Sequence, residues 1–296
     1  MERPCRPGRM ASPPSASVSE RLIFRAAGAN ADGVVSRMFS EYRVWGEVPP
    51  GFIKIVEASG CHLIVRGDLE HALSAASWHD AVTGEESTRL QGRGQLRRVT
   101  LPNGEVALLR RYHHGGAFRR LTGGLFFTWP PRPFRELMIT EDLRRRGIST
   151  VEVCGACVEP VWGPLYRGWL ATRALQGAQD LWAALRSGFV REVGEQRSLR
   201  AVAKSLRALH QAGVYHADLN LKNILLRMES GGVRGYIIDF DKAKLVLGTL
   251  PPPLAMKNLD RLLRSVRKLD PERRYFSPAR WHDFINFYHE GDGREV

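Results

Sequence analysis

The second half of the chain contains a histidine, an aspartate and an asparagine at fixed spacing, and a further aspartate follows two short apolar segments. The first group is His216-Ala217-Asp218, with Asn223 five positions after the aspartate. The apolar segments 224–226 and 236–238 flank a Ser-Gly-Gly turn, which predicts a β-hairpin. Asn223 would begin its first strand and Asp239 would end the antiparallel partner. The hairpin therefore predicts that the two side chains lie close together.

These residues are the ones that phosphoryl transfer requires. In such a reaction the protein supplies a carboxylate beside the acceptor hydroxyl, oxygen ligands for Mg²⁺ and cations on the phosphates. Asp218, Asn223 and Asp239 supply the first two. A buried histidine, a capping aspartate and a turn asparagine can each occur alone, but their agreement with the predicted strands makes the combination specific. The sequence predicts a phosphotransfer centre at these residues.

The pattern resembles that of the protein-kinase-like superfamily. The resemblance implies that Asp218 is the catalytic base, that Asn223 and Asp239 are metal ligands, and that His216 supports the metal-binding turn. Lys222 stands where some kinases place a basic residue on the γ-phosphate, although a solvated loop lysine explains it equally well. ATP and Mg²⁺ are the cosubstrate and metal that follow from this resemblance.

The same resemblance implies a nucleotide site in the first half of the chain. Gly92 and Gly94 precede a hairpin predicted by an Asn-Gly turn, although this pair is a poor match to the glycine-rich loop of kinases. Arg110 lies on the second strand of that hairpin, where most kinases carry lysine. Glu136, on a helix predicted from Phe134 to Arg146, is its expected partner, and two surface charges are the alternative.

A closer resemblance is to the family of 3-deoxy-D-manno-octulosonic acid (Kdo) kinases and lipopolysaccharide core kinases. It covers most of the chain from about Leu90. Its motifs are the Gly-Arg-Gly at 92–94, Leu109 to Gly116, Phe134-Arg135-Glu136, His216 to Leu226, Ile238-Asp239-Phe240-Asp241 and Asn258 to Leu269. The family tolerates arginine at the strand position and Ile-Asp-Phe-Asp in place of Asp-Phe-Gly. The implied acceptor is a sugar hydroxyl of Kdo in Kdo-lipid A, during synthesis of the lipopolysaccharide inner core.

The predicted fold is α+β, with the two lobes of a protein kinase. Residues 1–19 are expected to be a disordered tail because they are rich in Pro, Ser, Ala and Arg without periodicity. Residues 20–172 are expected to form a mainly β lobe with one key helix, and residues 173–296 are expected to form a helical lobe that carries the catalytic loop. Apolar residues at helical spacing predict helices over 199–209 and 259–269, the second with Arg261, Arg264, Arg267 and Lys268 facing outward.

The charge of the chain favours an anionic partner. It carries 44 Lys and Arg against 31 Asp and Glu, a net charge of +13. The resemblance connects this charge with an anionic glycolipid at the cytoplasmic face of the bacterial inner membrane, where the protein would be peripheral. No apolar run approaches the roughly 18 residues that span a bilayer. No nucleic-acid-binding module is recognisable, and Cys154 and Cys157 are expected to be packed strand thiols rather than a redox or zinc site.

Four alternatives remain open at this point. The chain could phosphorylate a heptose of the lipopolysaccharide core, a protein as RIO-like kinases do, or a small molecule such as an aminoglycoside or choline. It could also be a pseudokinase that binds nucleotide without catalysis. Against the last, Asp218, Asn223 and Asp239 are all present.

Overall fold

The computed structural model describes residues 48–73, 78, 96–113 and 124–290. Within them, an antiparallel sheet forms one part of the molecule and a mainly helical core forms the other, which confirms the predicted α+β class. The predicted tail at 1–19 and both glycines of the Gly-Arg-Gly motif lie outside the described residues.

Six strands form the larger sheet in the order β1-β2-β5-β6-β4-β3, and every neighbouring pair is antiparallel. The strands are β1 (Phe52–Val56), β2 (His62–Arg66), β3 (Leu96–Thr100), β4 (Val106–Arg111), β5 (Val153–Trp162) and β6 (Leu165–Arg173). The predicted Asn-Gly turn joins β3 to β4, and Gly104 adopts a φ of 78° there, which a residue with a side chain rarely adopts. The register pairs Leu96 with Arg110, so the turn fixes the position of this arginine in the sheet.

Both cysteines of the Cys-Gly-Ala-Cys sequence lie on β5 and are buried as free thiols. Burial raises the pKa of the Cys154 thiol to about 12. A hydrogen bond with Cys61 and burial together raise the pKa of the Cys157 thiol well above its ordinary value. These thiols are therefore packing residues of the sheet, as expected.

Helix α1 (Arg132–Arg145) separates the sheet from the helical core. It begins two residues before the predicted start because Pro133 fits the first turn, where its missing N–H has no partner to lose. Phe134 and Leu137 pack into the sheet cluster, whereas Ile139 and Leu143 pack into the helical core. Since both sides of the helix are covered, Glu136 is carried into the interface between the two parts.

The remainder of the chain forms the helical part with two small sheets. Its helices are α2 (Leu181–Ser187), α3 (Phe189–Val193), α4 (Glu195–Gln211), α5 (Pro252–Leu269) and α6 (Pro278–His289). One small sheet contains β7 (Gln179–Asp180), β9 (Ile224–Glu229) and β10 (Gly232–Ile237), and the other contains β8 (Val214–Tyr215) and β11 (Lys244–Leu245). The hairpin predicted after Asn223 is thus confirmed as β9 and β10.

The helical core also corrects several expectations. Helix α4 begins at Glu195, four residues before the predicted start, and α6 was not predicted at all. On α5, Arg261 is half-buried rather than turned outward, while Arg264, Arg267 and Lys268 are exposed as expected. Of the helices in the described ranges, none has the length and apolar character needed to cross a bilayer.

Candidate active site

His216 begins the loop that follows β8 and is buried. Its Nε2 lies 2.9 Å from the carbonyl oxygen of Ile238, and its Nδ1 lies 3.2 Å from the backbone N–H of Asp218. A carbonyl only accepts, so Nε2 carries the proton and Nδ1 accepts. Burial lowers the pKa of His216, which favours this neutral ring. His216 therefore contacts the residue before Asp239, and its support of a metal-binding turn stays a prediction.

The side chains of Asn220 and Asn223 hold the backbone of Asp218. Both amide nitrogens donate to the Asp218 carbonyl oxygen, at 2.8 and 2.9 Å. The oxygen of Asn220 accepts from the backbone N–H of Lys222 at 2.9 Å, which shapes the short 3₁₀ turn Leu221–Asn223. The carboxylate of Asp218 is exposed, as a group that must meet an incoming acceptor hydroxyl requires.

Asp239 lies two residues after the end of β10, and the residue before it, Ile238, lies opposite Asn223 across the hairpin. The N–H of Ile238 donates to the Asn223 carbonyl oxygen at 3.0 Å, so the residues that flank the two strands lie together. Asp239 adopts a φ of 72°, a left-handed conformation that is uncommon for any residue except glycine. Strained backbone of this kind occurs preferentially at functional sites, where the surrounding structure holds it in place.

The side chain of Arg110, on β4, contacts both helix α1 and the aspartate that follows the β9–β10 hairpin. Its Nη2 donates to both oxygens of Glu136, at 2.6 and 2.7 Å, and its Nη1 donates to Oδ1 of Asp239 at 2.8 Å. The hydroxyl of Tyr112 also donates to Glu136, and the Arg110 guanidinium lies 4.9 Å from the centre of the Tyr112 ring. The predicted pairing of Arg110 with Glu136 is confirmed, whereas its contact with Asp239 was not foreseen.

The charges of this cluster determine its protonation. Burial lowers the pKa of Arg110, but the negative charges around it, that of Glu136 foremost, outweigh burial and raise the pKa well above its ordinary value. Burial raises the pKa of Glu136 to about 7, although the guanidinium acts in the opposite direction. Removal of Arg110 would therefore leave the buried Glu136 carboxyl without its cation and favour its neutral form.

A second set of contacts connects helix α1 to the Ile-Asp-Phe-Asp segment, and the sequence did not indicate it. The guanidinium of Arg132 forms two hydrogen bonds with the Asp241 carboxylate. Arg135 donates to the backbone oxygen of Asp241 at 3.0 Å. Both arginines hold the helix against this segment. In the sequence, the signal for these contacts was the second aspartate of the Ile-Asp-Phe-Asp motif together with the two arginines at the start of the helix.

Helix α5 holds the loop from His216 to Asn223 in place through Asn258. The Oδ1 of Asn258 accepts from the backbone N–H of His216 at 2.9 Å, and its Nδ2 donates to the His216 carbonyl oxygen at 2.8 Å. The same Oδ1 lies 3.2 Å from Nε2 of His210, and Ser265 accepts from the N–H of Leu221 at 3.2 Å. The sequence reasoning missed this role, although an asparagine in the apolar stripe of a helix was its visible signal.

The other predicted site residues are less well defined. Lys222 lies in the 3₁₀ turn, half-buried and four positions after Asp218. Its role on the γ-phosphate stays a prediction, as do the roles of Gly92 and Gly94, which fall outside the described residues.

Within the described ranges no three His, Cys, Asp or Glu side chains form a metal cluster. The donor set still fits Mg²⁺, because this ion commonly takes one or two protein oxygens and completes its shell with phosphate and water.

Comparison with known proteins gives one family. Residues 78–288 match the model of the lipopolysaccharide kinase (Kdo/WaaP) family. A protein named 3-deoxy-D-manno-octulosonic acid kinase from Pasteurella multocida is 30% identical over 214 residues, which cover 69% of this chain and 86% of the relative. A protein of the same name from Vibrio cholerae is 32% identical and covers 60% of this chain and 72% of the relative.

A solved structure supports the fold alone. The structure described as WaaP in complex with acyl carrier protein aligns with a TM-score of 0.51 at 17% identity. The alignment covers 76% of this chain and 88% of that one. Most of the architecture described above is therefore shared with a protein whose sequence has diverged widely.

Proposed function

The chain belongs to the lipopolysaccharide kinase (Kdo/WaaP) family, and on this basis we propose that it transfers the γ-phosphate of ATP to a hydroxyl of Kdo in Kdo-lipid A. The names of its relatives support the acceptor. One observation is the main support for the proposal. The guanidinium of Arg110 donates hydrogen bonds both to Glu136 on α1 and to Asp239 after the β9–β10 hairpin. These contacts bring a cation and a proposed metal ligand to one site, and phosphoryl transfer needs a cation and a metal on the phosphates.

In the proposed reaction, Asp218 accepts the proton of the sugar hydroxyl as the new oxygen–phosphorus bond forms and the bond from the γ-phosphorus to the bridging oxygen breaks. ADP leaves with the electron pair of the broken bond. The buried contacts of His216 and Asn258 hold the loop so that the Asp218 carboxylate stays in one position. Preorganisation of this kind removes the entropy of positioning from the barrier.

Asn223 and Asp239 would hold Mg²⁺, whose charge offsets that of the phosphate oxygens when it is bound. Arg110 has a part in the same step. Its Nη1 now contacts Asp239, whereas its Nη2 is held by Glu136. We infer that ATP binding moves Nη1 from the aspartate to a phosphate, while Glu136 keeps the guanidinium in place. Lys222 and the glycines Gly92 and Gly94 would add contacts to the phosphates.

The proposed acceptor also implies a location. A lipid-anchored sugar can be reached only at a membrane surface, so the protein would act as a peripheral protein at the cytoplasmic face of the inner membrane. The net charge of +13 suits the anionic lipids of that surface. Each basic residue near such a surface contributes about 1 kcal/mol at physiological ionic strength.

The test is transfer of labelled γ-phosphate to a panel of acceptors. We expect Kdo-lipid A to be labelled, with heptosylated lipid A, a generic protein and an aminoglycoside labelled far less. Labelling of the protein alone would support a RIO-like protein kinase, and labelling only of the heptosylated acceptor would support a heptose kinase. ATP binding without transfer to any acceptor would support a pseudokinase. Asp218→Asn serves as the inactive control, since it keeps the shape of the side chain and loses the base.

A further inference from the structure

Two segments of the sheet part present an apolar edge, defined by Phe127, Trp129, Val161 and Trp162. Their side chains are 70%, 41%, 41% and 77% exposed, respectively. Exposed single apolar residues are ordinary, but a contiguous group that includes two tryptophans indicates an interaction surface. Nothing in the catalytic mechanism uses these four residues.

Tyr166 connects the two segments that carry these four residues. Phe126 and Tyr166 exchange backbone hydrogen bonds of 2.8 Å, which places Phe127 beside the end of the β5–β6 hairpin. The rings of Trp129 and Tyr166 lie 5.9 Å apart. Val161 and Trp162 lie at the tip of the same hairpin, where Trp162 pairs with Leu165.

Composition sets these segments apart from the rest of the chain. Residues 124–131 and 160–166 contain no charged residue, although 25% of the chain is charged. The chain as a whole is basic, with a net charge of +13, which favours an anionic surface. Tryptophan suits the boundary between acyl chains and headgroups, because the indole is apolar with one polar N–H.

The apolar edge also adjoins the candidate active site. The hydroxyl of Tyr166 accepts from the backbone N–H of Arg132, the first residue of α1, at 2.9 Å. Arg132 in turn holds Asp241, two residues after the proposed metal ligand. A membrane that touches the edge therefore lies next to the cleft, as an acceptor with its acyl chains in the bilayer and its sugar in the cleft requires.

We propose that the apolar edge inserts Phe127, Trp129, Val161 and Trp162 into the interface of an anionic lipid bilayer and so presents the cleft to lipid-anchored acceptors. The proposal rests on the proposed function for its acceptor, but the lipid contact itself can be tested without any acceptor. Insertion differs from simple charge attraction in one measurable respect. Burial of aromatic surface is not screened by salt, whereas attraction between arginine and headgroups is.

The experiment is flotation of the protein with vesicles of phosphatidylethanolamine and phosphatidylglycerol, at low salt and at about 1 M salt, where the Debye length is about 3 Å. We expect binding that weakens with salt but persists at the higher concentration. The double variant Phe127→Ser, Trp162→Ser should lower partition by about tenfold or more at both salt concentrations, since each aromatic side chain contributes on that order. The double variant Met228→Ser, Leu247→Ser removes two exposed apolar side chains elsewhere and should bind like the wild type.

A second measurement does not depend on how well the double variant folds. Vesicles with brominated acyl chains should quench tryptophan fluorescence of the wild type, and the single variant Trp162→Phe should lose part of this quenching. Equal flotation of the wild type and the edge variant, or no quenching by brominated chains, would overturn the proposal. A wild-type dimer that the edge variant converts to monomers, without vesicle binding, would assign the edge to self-association and would also overturn it.

The acceptor assays separate this proposal from the proposed function. The edge variant should lose transfer to Kdo-lipid A in vesicles, with its activity on a soluble, deacylated Kdo acceptor unchanged. Loss of flotation in the edge variant, with no transfer by the wild type to any Kdo acceptor, would refute the function and keep the lipid surface. Full transfer in vesicles by the edge variant would refute the surface and keep the function.

Discussion

Replacement of Asn258 by alanine should destabilise the protein and slow catalysis together. Asn258 is fully buried and serves both backbone groups of His216, two residues before the proposed base. The variant leaves a buried N–H and a buried carbonyl without these partners, at about 1–3 kcal/mol each. The expected decrease in the free energy of unfolding is therefore roughly 2–6 kcal/mol, a large share of the about 5–15 kcal/mol that holds a domain folded.

The assay combines denaturant unfolding with steady-state kinetics at a temperature where the variant is folded. We expect kcat to fall because the loop that carries Asp218 loses its fixed position, while the KM for ATP changes little because Arg110 and Glu136 do not contact Asn258. Asn286→Ala is the matched control, since Asn286 is an exposed asparagine on helix α6. It should change stability by no more than about 0.5 kcal/mol.

Ser265→Ala gives a milder version of the same perturbation, because Ser265 accepts a single hydrogen bond from the loop, at 3.2 Å. It keeps the test informative if Asn258→Ala does not fold. A folded Asn258→Ala protein with wild-type kcat, or with a stability change as small as that of Asn286→Ala, would refute the idea that α5 positions the catalytic loop.

Three further predictions concern the base, the cation and a buried histidine. Asp218→Asn should lower kcat by about 10²–10⁴-fold with ATP binding retained, and calorimetric ATP binding beside a turnover assay checks both parts. Arg110→Ala should raise the KM for ATP by about ten- to a hundredfold and Glu136→Gln by less, and an unchanged KM in Arg110→Ala would remove the arginine from the nucleotide site. Burial lowers the pKa of His210 to about 4, below its ordinary 6.5, so the unfolded chain takes up this proton first as the pH falls. Stability should therefore decrease by about 3 kcal/mol between pH 6.5 and 4 and lose no more from this group below pH 4. His210→Gln should flatten that part of the profile, whereas the exposed His282→Gln should leave it unchanged.

The parts of the site that the sequence predicted are those encoded by short spacing. The interval from Asp218 to Asn223 spans one loop, and the Gly turn before β10 determines that Asp239 returns to it. The Arg110–Glu136 pair followed from the strand-then-helix order of a kinase, which places both side chains toward the same cleft.

The contacts that the sequence did not reveal join elements far apart in the chain. Arg132 meets Asp241, and Arg110 meets Asp239, only because α1 packs between the sheet and the helical core. Local periodicity reports which face of an element is apolar, not which partner covers it.

We expect the hydroxyl of Kdo to receive the phosphate through the site at Asp218, Asn223 and Asp239. The most direct measurement is to incubate the wild type and Asp218→Asn with labelled ATP and Kdo-lipid A, and then to release Kdo from lipid A with mild acid. We predict that the label made by the wild type is recovered with the sugar and that the variant transfers almost none. Label that remains with lipid A, or equal transfer by the variant, would contradict the account.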